Sequence, residues 1–202
     1  RLRAAMQAAR AANMPKDNIE RAIKKSEINK NVNYDSILYE GFGPEKIAVI
    51  VEALTDNKNR TASNIRTIFQ KNGGSLGSTG VASHQFQQVG VIRIEKKKIS
   101  NDDILELAIN GGADDCFSNN LYHQIITAKD NFYKVKLEIE KKIQEFMSSG
   151  IEWLPTNKIS LNKEKTESVL NFIETLEEDE DVQNVYANLE IDKDISEINL
   201  TT

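Results

Sequence analysis

Residues 55–90 read TDNKNRTASNIRTIFQKNGGSLGSTGVASHQFQQVG, and this stretch holds the densest structural instructions in the chain. It follows an apolar run, Ile47 to Leu54, which reads as a buried strand ending at Thr55-Asp56-Asn57. Asp56, Asn57 or Asn59 is placed to cap a helix starting near Arg60, because a short side-chain acceptor satisfies the free amides of a first turn. At 100° per residue Thr61, Ala62, Ile65, Ile68 and Phe69 share one side of that helix. Arg60, Asn64, Thr67 and Lys71 form a narrow stripe on the other, with Asn59, Ser63, Arg66 and Gln70 beside it. Gly73-Gly74 ends the helix, since the residue past a C-cap commonly needs a positive φ. The Ser75-Leu76-Gly77-Ser78-Thr79-Gly80 loop that follows is small, polar and rich in backbone donors. Two readings fit: an amphipathic helix whose solvent face happens to be basic, or a basic helix and glycine loop presented to a polyanion.

The rest of the chain is read outward from this centre. Leu2 to Ala12 is alanine-rich and helical by propensity. Asn13-Met14-Pro15 breaks that helix and opens a second one, on which Ile19, Ala22 and Ile23 face inward. Residues 26–38 read as a linker, and Tyr39 to Pro44 as a strand end and tight turn. Val81 to Phe86 is a weakly alternating strand carrying His84, followed by a strand over Gly90 to Glu95. Asn101-Asp102-Asp103 caps a helix closed by Gly111-Gly112. Two short strands flank Asn119-Asn120. Asp130 or Asn131 opens a helix carrying Val135, Ile139, Ile143, Phe146 and Met147, which Gly150 stops before a strand over Ile151 to Leu154. From strand 90–95 onward the order is βαββαβ, that of a ferredoxin-like sandwich. Beyond Pro155 come a short strand at Ile159 to Leu161, a helix from Lys163 to Leu176 and a strand from Val182 to Leu189, and this tail needs a sheet to join.

The expected fold class is therefore α+β: an N-terminal helical domain (1–30) plus two α/β sandwich-type domains. The central one comprises 31–89 and 156–202, and the third, ferredoxin-like, is inserted within it at 90–155.

Composition bounds the function. The chain has 202 residues, of which 39% are hydrophobic and 28% charged, which fits a globular fold. No apolar run is long enough to cross a bilayer, and no signal-peptide core opens the chain. The single cysteine, Cys116, excludes an intramolecular disulfide and suits a reducing compartment. These features predict a cytoplasmic protein without a membrane partner. Residues 1–25 carry Arg1, Arg3, Arg10, Lys16, Arg21, Lys24 and Lys25 against Asp17 and Glu20, a net +5 that leaves −10 on the rest of a chain of total charge −5. A local basic face binds a polyanion even on an acidic protein.

Catalytic patterns are weak. His84 and His123 have no metal-ligand spacing, and Cys116 lacks a nucleophile's surroundings. The glycines at 73–80 follow a helix and lack the Gly-Lys-Ser/Thr of a phosphate loop. The acidic run Glu177 to Asp181 reads as a solvated turn, since a Mg²⁺ site needs ligands converging from several elements. No enzyme activity, cofactor, metal or small-molecule substrate is expected.

The segment EALTDNKNRTASNIRTIFQKNGGSLGSTGVAS resembles the central signature of the YebC/PmpR family of bacterial regulators, which includes mitochondrial translational activators of cytochrome oxidase. LRAAMQAARAANMPKDNIERAIKK and YEGFGPEKIAVIVEALTD are similar to it in the same order. His84 departs from the bulky residue usual there. The resemblance implies a further glycine-, lysine- and tryptophan-containing segment before Arg1, so the chain is expected to be N-terminally truncated. It also implies a DNA-binding transcriptional regulator, with a ribosome- or rRNA-associated translation factor as the alternative. An acidic protein-interaction scaffold is the third reading. The expected nucleic-acid contacts are Arg1, Arg3, Arg10, Lys16, Arg21, Lys24, Lys25, Lys58, Arg60, Asn64, Arg66 and Lys71, with Gly73, Gly74, Ser75, Gly77 and Ser78 from the loop.

Overall fold

A computed structural model of the protein describes residues 6 and 9, 14–28 (backbone alone from residue 24) and 33–190. Among these residues it is a mixed α/β chain of five helices and chiefly antiparallel sheets. It packs as two compact units, Val32–Gln87 with Trp153–Thr202 and Arg1–Asn31 with Gln88–Glu152.

The first of these units is built on β1 (Asp35–Phe42) and β2 (Ala48–Thr55), an antiparallel pair joined by a tight turn at Pro44–Lys46. Sheet order is β3-β1-β2-β9, where β3 is Ser75–Leu76 and β9 is Val182–Ala187. β2 is central and apolar on both faces, which is why its sequence reads as a continuous apolar run rather than an alternating one. Ile47, Val49 and Val51 pack with Ile65 and Phe69 of α2 (Lys58–Lys71) and with Val169, Phe172 and Leu176 of α5 (Lys163–Glu177). Ala48 and Ile50 pack on the opposite side with Ala82 and Phe86. The tail's β9 lies antiparallel to β2, with Tyr186 opposite Ile50. A two-stranded parallel ladder joins β8 (Ile159–Ser160) to β10 (Leu189–Glu190).

The second unit holds α1 (Lys16–Ile28) and a sheet of order β5-β6-β4-β7. Its strands are β4 (Phe86–Glu95), β5 (Asp115–Ser118), β6 (Tyr122–Ala128) and β7 (Ser148–Pro155). Between them run α3 (Asn101–Gly111) and α4 (Phe132–Glu140), so the βαββαβ order read from the sequence is the order observed. Ile92, Ile94 and Ile125 of the sheet meet Ile104, Val135 and Ile139 of the helices in a buried cluster.

Several local expectations are corrected. The 26–38 linker is shorter, because α1 continues to Ile28 and β1 begins at Asp35. Of the strand expected over Val81 to Phe86 only Phe86 is in one, as the first residue of β4, and Val81–Gln85 is a turn with a 3-10 segment at Ser83–Gln85, since the amides of Ala82 and Ser83 bond a carboxylate instead of a ladder. α2 starts at Lys58, two residues early, capped by Asn57. Ser100 rather than the acidic run caps α3, its side chain accepting from Asp103 N. α4 ends at Glu140, so Ile143, Phe146 and Met147 lie beyond it, and Gly150 sits within β7. The last strand breaks at Asn188, whose Oδ1 accepts from Ala48 N at 2.9 Å. The expected helix at Leu2 to Ala12 falls largely outside the described residues.

Candidate nucleic-acid interface

α2 and the loop after it are placed by the sheet. Thr61, Ile65 and Phe69 are buried on its inner side, and the Phe69 ring meets Phe172 edge-on, 4.9 Å between centroids. The helix contains Lys58, Arg60, Arg66 and Lys71 and no carboxylate. Asn57 Oδ1 accepts from Arg60 N at 3.1 Å, which fixes the first turn.

The cations are not equivalent. Lys58 lies 3.3 Å from Asp35. Arg60, expected on a solvent stripe, turns toward acids: Nη2 donates to Asp181 Oδ2 at 2.8 Å and to Asp56 Oδ1 at 2.9 Å. These carboxylates hold its guanidinium above the usual arginine range. Asn64 Nδ2 likewise donates to Asp179 at 3.1 Å. Arg66 and Lys71 are exposed and have no acidic partner among the described residues.

Asp181 is the residue that sequence reasoning missed. The acidic run was expected to be solvated, yet Asp181 is 9% exposed. Burial pushes its carboxyl up, but bonds from Thr61, Arg60 and Thr55 outweigh that and leave it below its ordinary range. The signal available was the pair of threonines Thr55, at the end of β2, and Thr61, on the inner side of α2's first turn, two buried hydroxyls that need an acceptor.

The glycine loop is partly ordered by the sheet. Gly73 takes φ +76, and a Cβ on Gly74 would lie 2.5 Å from Phe42 O, so only glycine lets the chain turn back here. Ser75–Leu76 then pairs with Gly41–Phe42. Ser75, Gly77, Ser78, Thr79 and Gly80 are exposed.

The remaining expected contacts separate. Lys16, 3.7 Å from Glu20, and the exposed Arg21 belong to the other unit. Arg1, Arg3 and Arg10 lie outside the described residues, as do the side chains of Lys24 and Lys25. His123 is buried, with Nδ1 2.6 Å from Ser118 Oγ and Nε2 3.0 Å from Ile99 O, and His84 is exposed. Cys116 packs at the edge of the α3–α4 core, where burial pushes its thiol up.

This is a mixed α/β protein whose distinctive surface is a basic helix joined to a glycine loop. Residues 34–189 match the family described as the TACO1/YebC second and third domain. A probable transcriptional regulatory protein of Pelagibacter ubique is 59% identical over 181 residues, covering 90% of this chain and 75% of that protein. The crystal structure of a conserved hypothetical protein from Aquifex aeolicus is similar at TM-score 0.82 and 39% identity, covering 95% of this chain and 79% of that one. The chain belongs to the TACO1/YebC family and is a regulator of the YebC type.

Proposed function

We propose that this regulator is non-enzymatic and acts by contacting nucleic acid through α2 and the Gly73–Gly80 loop, with DNA as the target, in keeping with a relative named a probable transcriptional regulatory protein. The observation that carries this reading is a helix with no carboxylate whose Arg66 and Lys71 are exposed and free of acidic partners among the described residues. Lysine and arginine placed this way exchange condensed counterions for phosphates. Arg60 joins them in a different role. Its carboxylate contacts all use Nη2, which leaves the Nε–H and Nη1 donors for a phosphate. Lys58, Asn64 and the loop residues Gly73, Gly74, Ser75, Gly77 and Ser78 extend the surface.

A ribosomal RNA target is the second reading. It is favoured by the loop itself, whose backbone donors recognise phosphate and shape rather than base edges. An acidic scaffold has less support, since Asp181 and Asp179 are engaged by α2. The three-domain division, 1–30, 31–89 with 156–202, and a ferredoxin-like 90–155, is our reading of the sheet orders and of the return of β9 to β2. A cytoplasmic site of action is in keeping with the finding that no helix among the described residues is long and apolar enough to cross a membrane.

Crosslinking in cells followed by sequencing of the bound nucleic acid tests the reading. Promoter fragments support the DNA target and ribosomal RNA the second reading. Recovery of neither would overturn both.

A further inference from the structure

Glu40 on β1 is 2% exposed, yet its carboxylate serves a surface segment. Oε1 accepts from Gly80 N at 2.9 Å, while Oε2 accepts from Ala82 N at 3.0 Å and Ser83 N at 2.7 Å. The Glu40 carbonyl accepts from Gly77 N at 2.8 Å. One residue thus grips residues 77–83 at both ends. Burial alone would push this carboxyl up, but the bonds from Gly80, Ser83 and Ala82 outweigh it and leave it below its ordinary range.

What the grip holds divides in two. Val81 and Ala82 pack under the sheet with Ile50 and Phe86. Ser78, Thr79 and Gly80 are exposed, and a Cβ on Gly80, at φ +90, would meet nothing within 4 Å. The amides of Ser78 and Thr79 have no acceptor among the described residues. This tip adds nothing to a core. A desolvated carboxylate that fixes the shape of such a tip is accounted for by what the tip presents.

We propose that Glu40 is a positioning residue: it holds the Ser78–Gly80 tip so that the Ser78 and Thr79 amides face outward together and receive a phosphate of the nucleic-acid backbone. Convergent backbone amides make an anion-binding concavity whose fit depends on fixed geometry. The proposal rests on the nucleic-acid reading above and adds a specific contact and its support.

The test uses the full chain with a labelled single-stranded RNA and a DNA duplex of the same sequence. It reads affinity, melting temperature and hydrogen exchange at Gly80, Ala82 and Ser83. Glu40→Gln keeps the volume but replaces one acceptor oxygen with a donor. The expected result is faster exchange at those amides and binding weakened about tenfold, the scale of one or two missing bonds to a charged group. Faster exchange with unchanged binding would overturn the proposal, as would unchanged exchange. Where Glu40→Gln does not fold, Ser78→Asp with Thr79→Asp decides, because these side chains are exposed and lie between the gripped amides. This double variant is expected to keep the melting temperature and lose at least about tenfold in affinity, since two carboxylates repel a phosphate at that spot. Normal binding by it overturns the positioning role alone, provided the wild type binds and Arg66→Ala with Lys71→Ala weakens that binding. A wild type that binds neither probe overturns the nucleic-acid reading, and the role of Glu40 with it.

Discussion

Thr61 Oγ1 donates to Asp181 Oδ2 at 2.6 Å across 120 residues of sequence. Thr55 Oγ1 donates to the same oxygen at 3.2 Å and Arg60 Nη2 at 2.8 Å. The end of β2, the first turn of α2 and the turn before β9 therefore meet on one carboxylate. Asp181→Ala leaves the two buried hydroxyls without it. The expected cost is about 1 to 3 kcal/mol in chemical denaturation, with Asp181→Asn costing less because it keeps one acceptor oxygen. A wild-type midpoint for Asp181→Ala would show that the node is incidental to stability.

Acid should loosen this unit first. Asp181 and Glu40 both sit below their ordinary ranges in the folded chain, so the folded state binds fewer protons than the unfolded one. Their contribution is complete above the unfolded carboxylate values of about 4 and is lost as pH falls through the lower folded values. Melting temperature is expected to stay level from neutrality to about pH 5 and to drop below about pH 4. Asp181→Asn combined with Glu40→Gln should flatten that drop, and an unaltered acid limb in the double variant would contradict the assignment.

Packing around Phe69 makes a sharper demand. The ring is fully buried against Phe172, so Phe69→Ala is expected to cost about 3 to 5 kcal/mol. The neighbouring glycines discriminate further. A Cβ on Gly41 would stand 2.5 Å from Ser75 O, a backbone atom, whereas on Gly43 it would meet Phe172 Cε1 at 2.6 Å. A ring gives way more readily than a paired strand, so Gly41→Ala should destabilise more than Gly43→Ala. Thermal melts of the two would settle the order.

The basic helix demands a particular choice of variants. Arg60 is a poor member of any test pair, because Arg60→Ala strips Asp181 of its counter-ion and is expected to lower stability as well as affinity. Arg66→Ala with Lys71→Ala is the clean pair. Its stability should stay within about 0.5 kcal/mol of wild type. The slope of log affinity against log salt should fall by about one for each phosphate that is no longer neutralised. An unchanged slope would leave α2 a solvated face.

Much of the architecture was legible from residue spacing. The buried run at 47–54, the inward positions Ile65 and Phe69 and the βαββαβ order all follow from apolar periods that packing then enforces. The misreadings share a cause. Ser83 and Ala82 left the expected strand because Glu40, more than forty residues earlier, takes their amides. Arg60 and Asn64 keep their exposed positions but are engaged there, because Asp181 and Asp179 reach them from the far end of the chain. Polar pairing over such distances has no period, so a local reading sees a charge and cannot see its partner. The signature's basic residues were legible as a group, but their division into engaged and available cations was not.

The pairing of β2 with β9 also orders events during synthesis. Ala48 N meets Asn188 Oδ1 across 140 residues, so the central strand of its sheet is made long before the neighbour that completes it. Until Val182–Ala187 emerges from the ribosome, one edge of β2 stays open, and it carries an apolar run that invites pairing with other chains. The βαββαβ segment has all its strands by Pro155 and can collapse earlier on nearer contacts. A nascent chain halted before residue 182 is thus expected to protect amides of β6 from exchange while those of β2 stay open, with the second protection appearing only when the final strand is released.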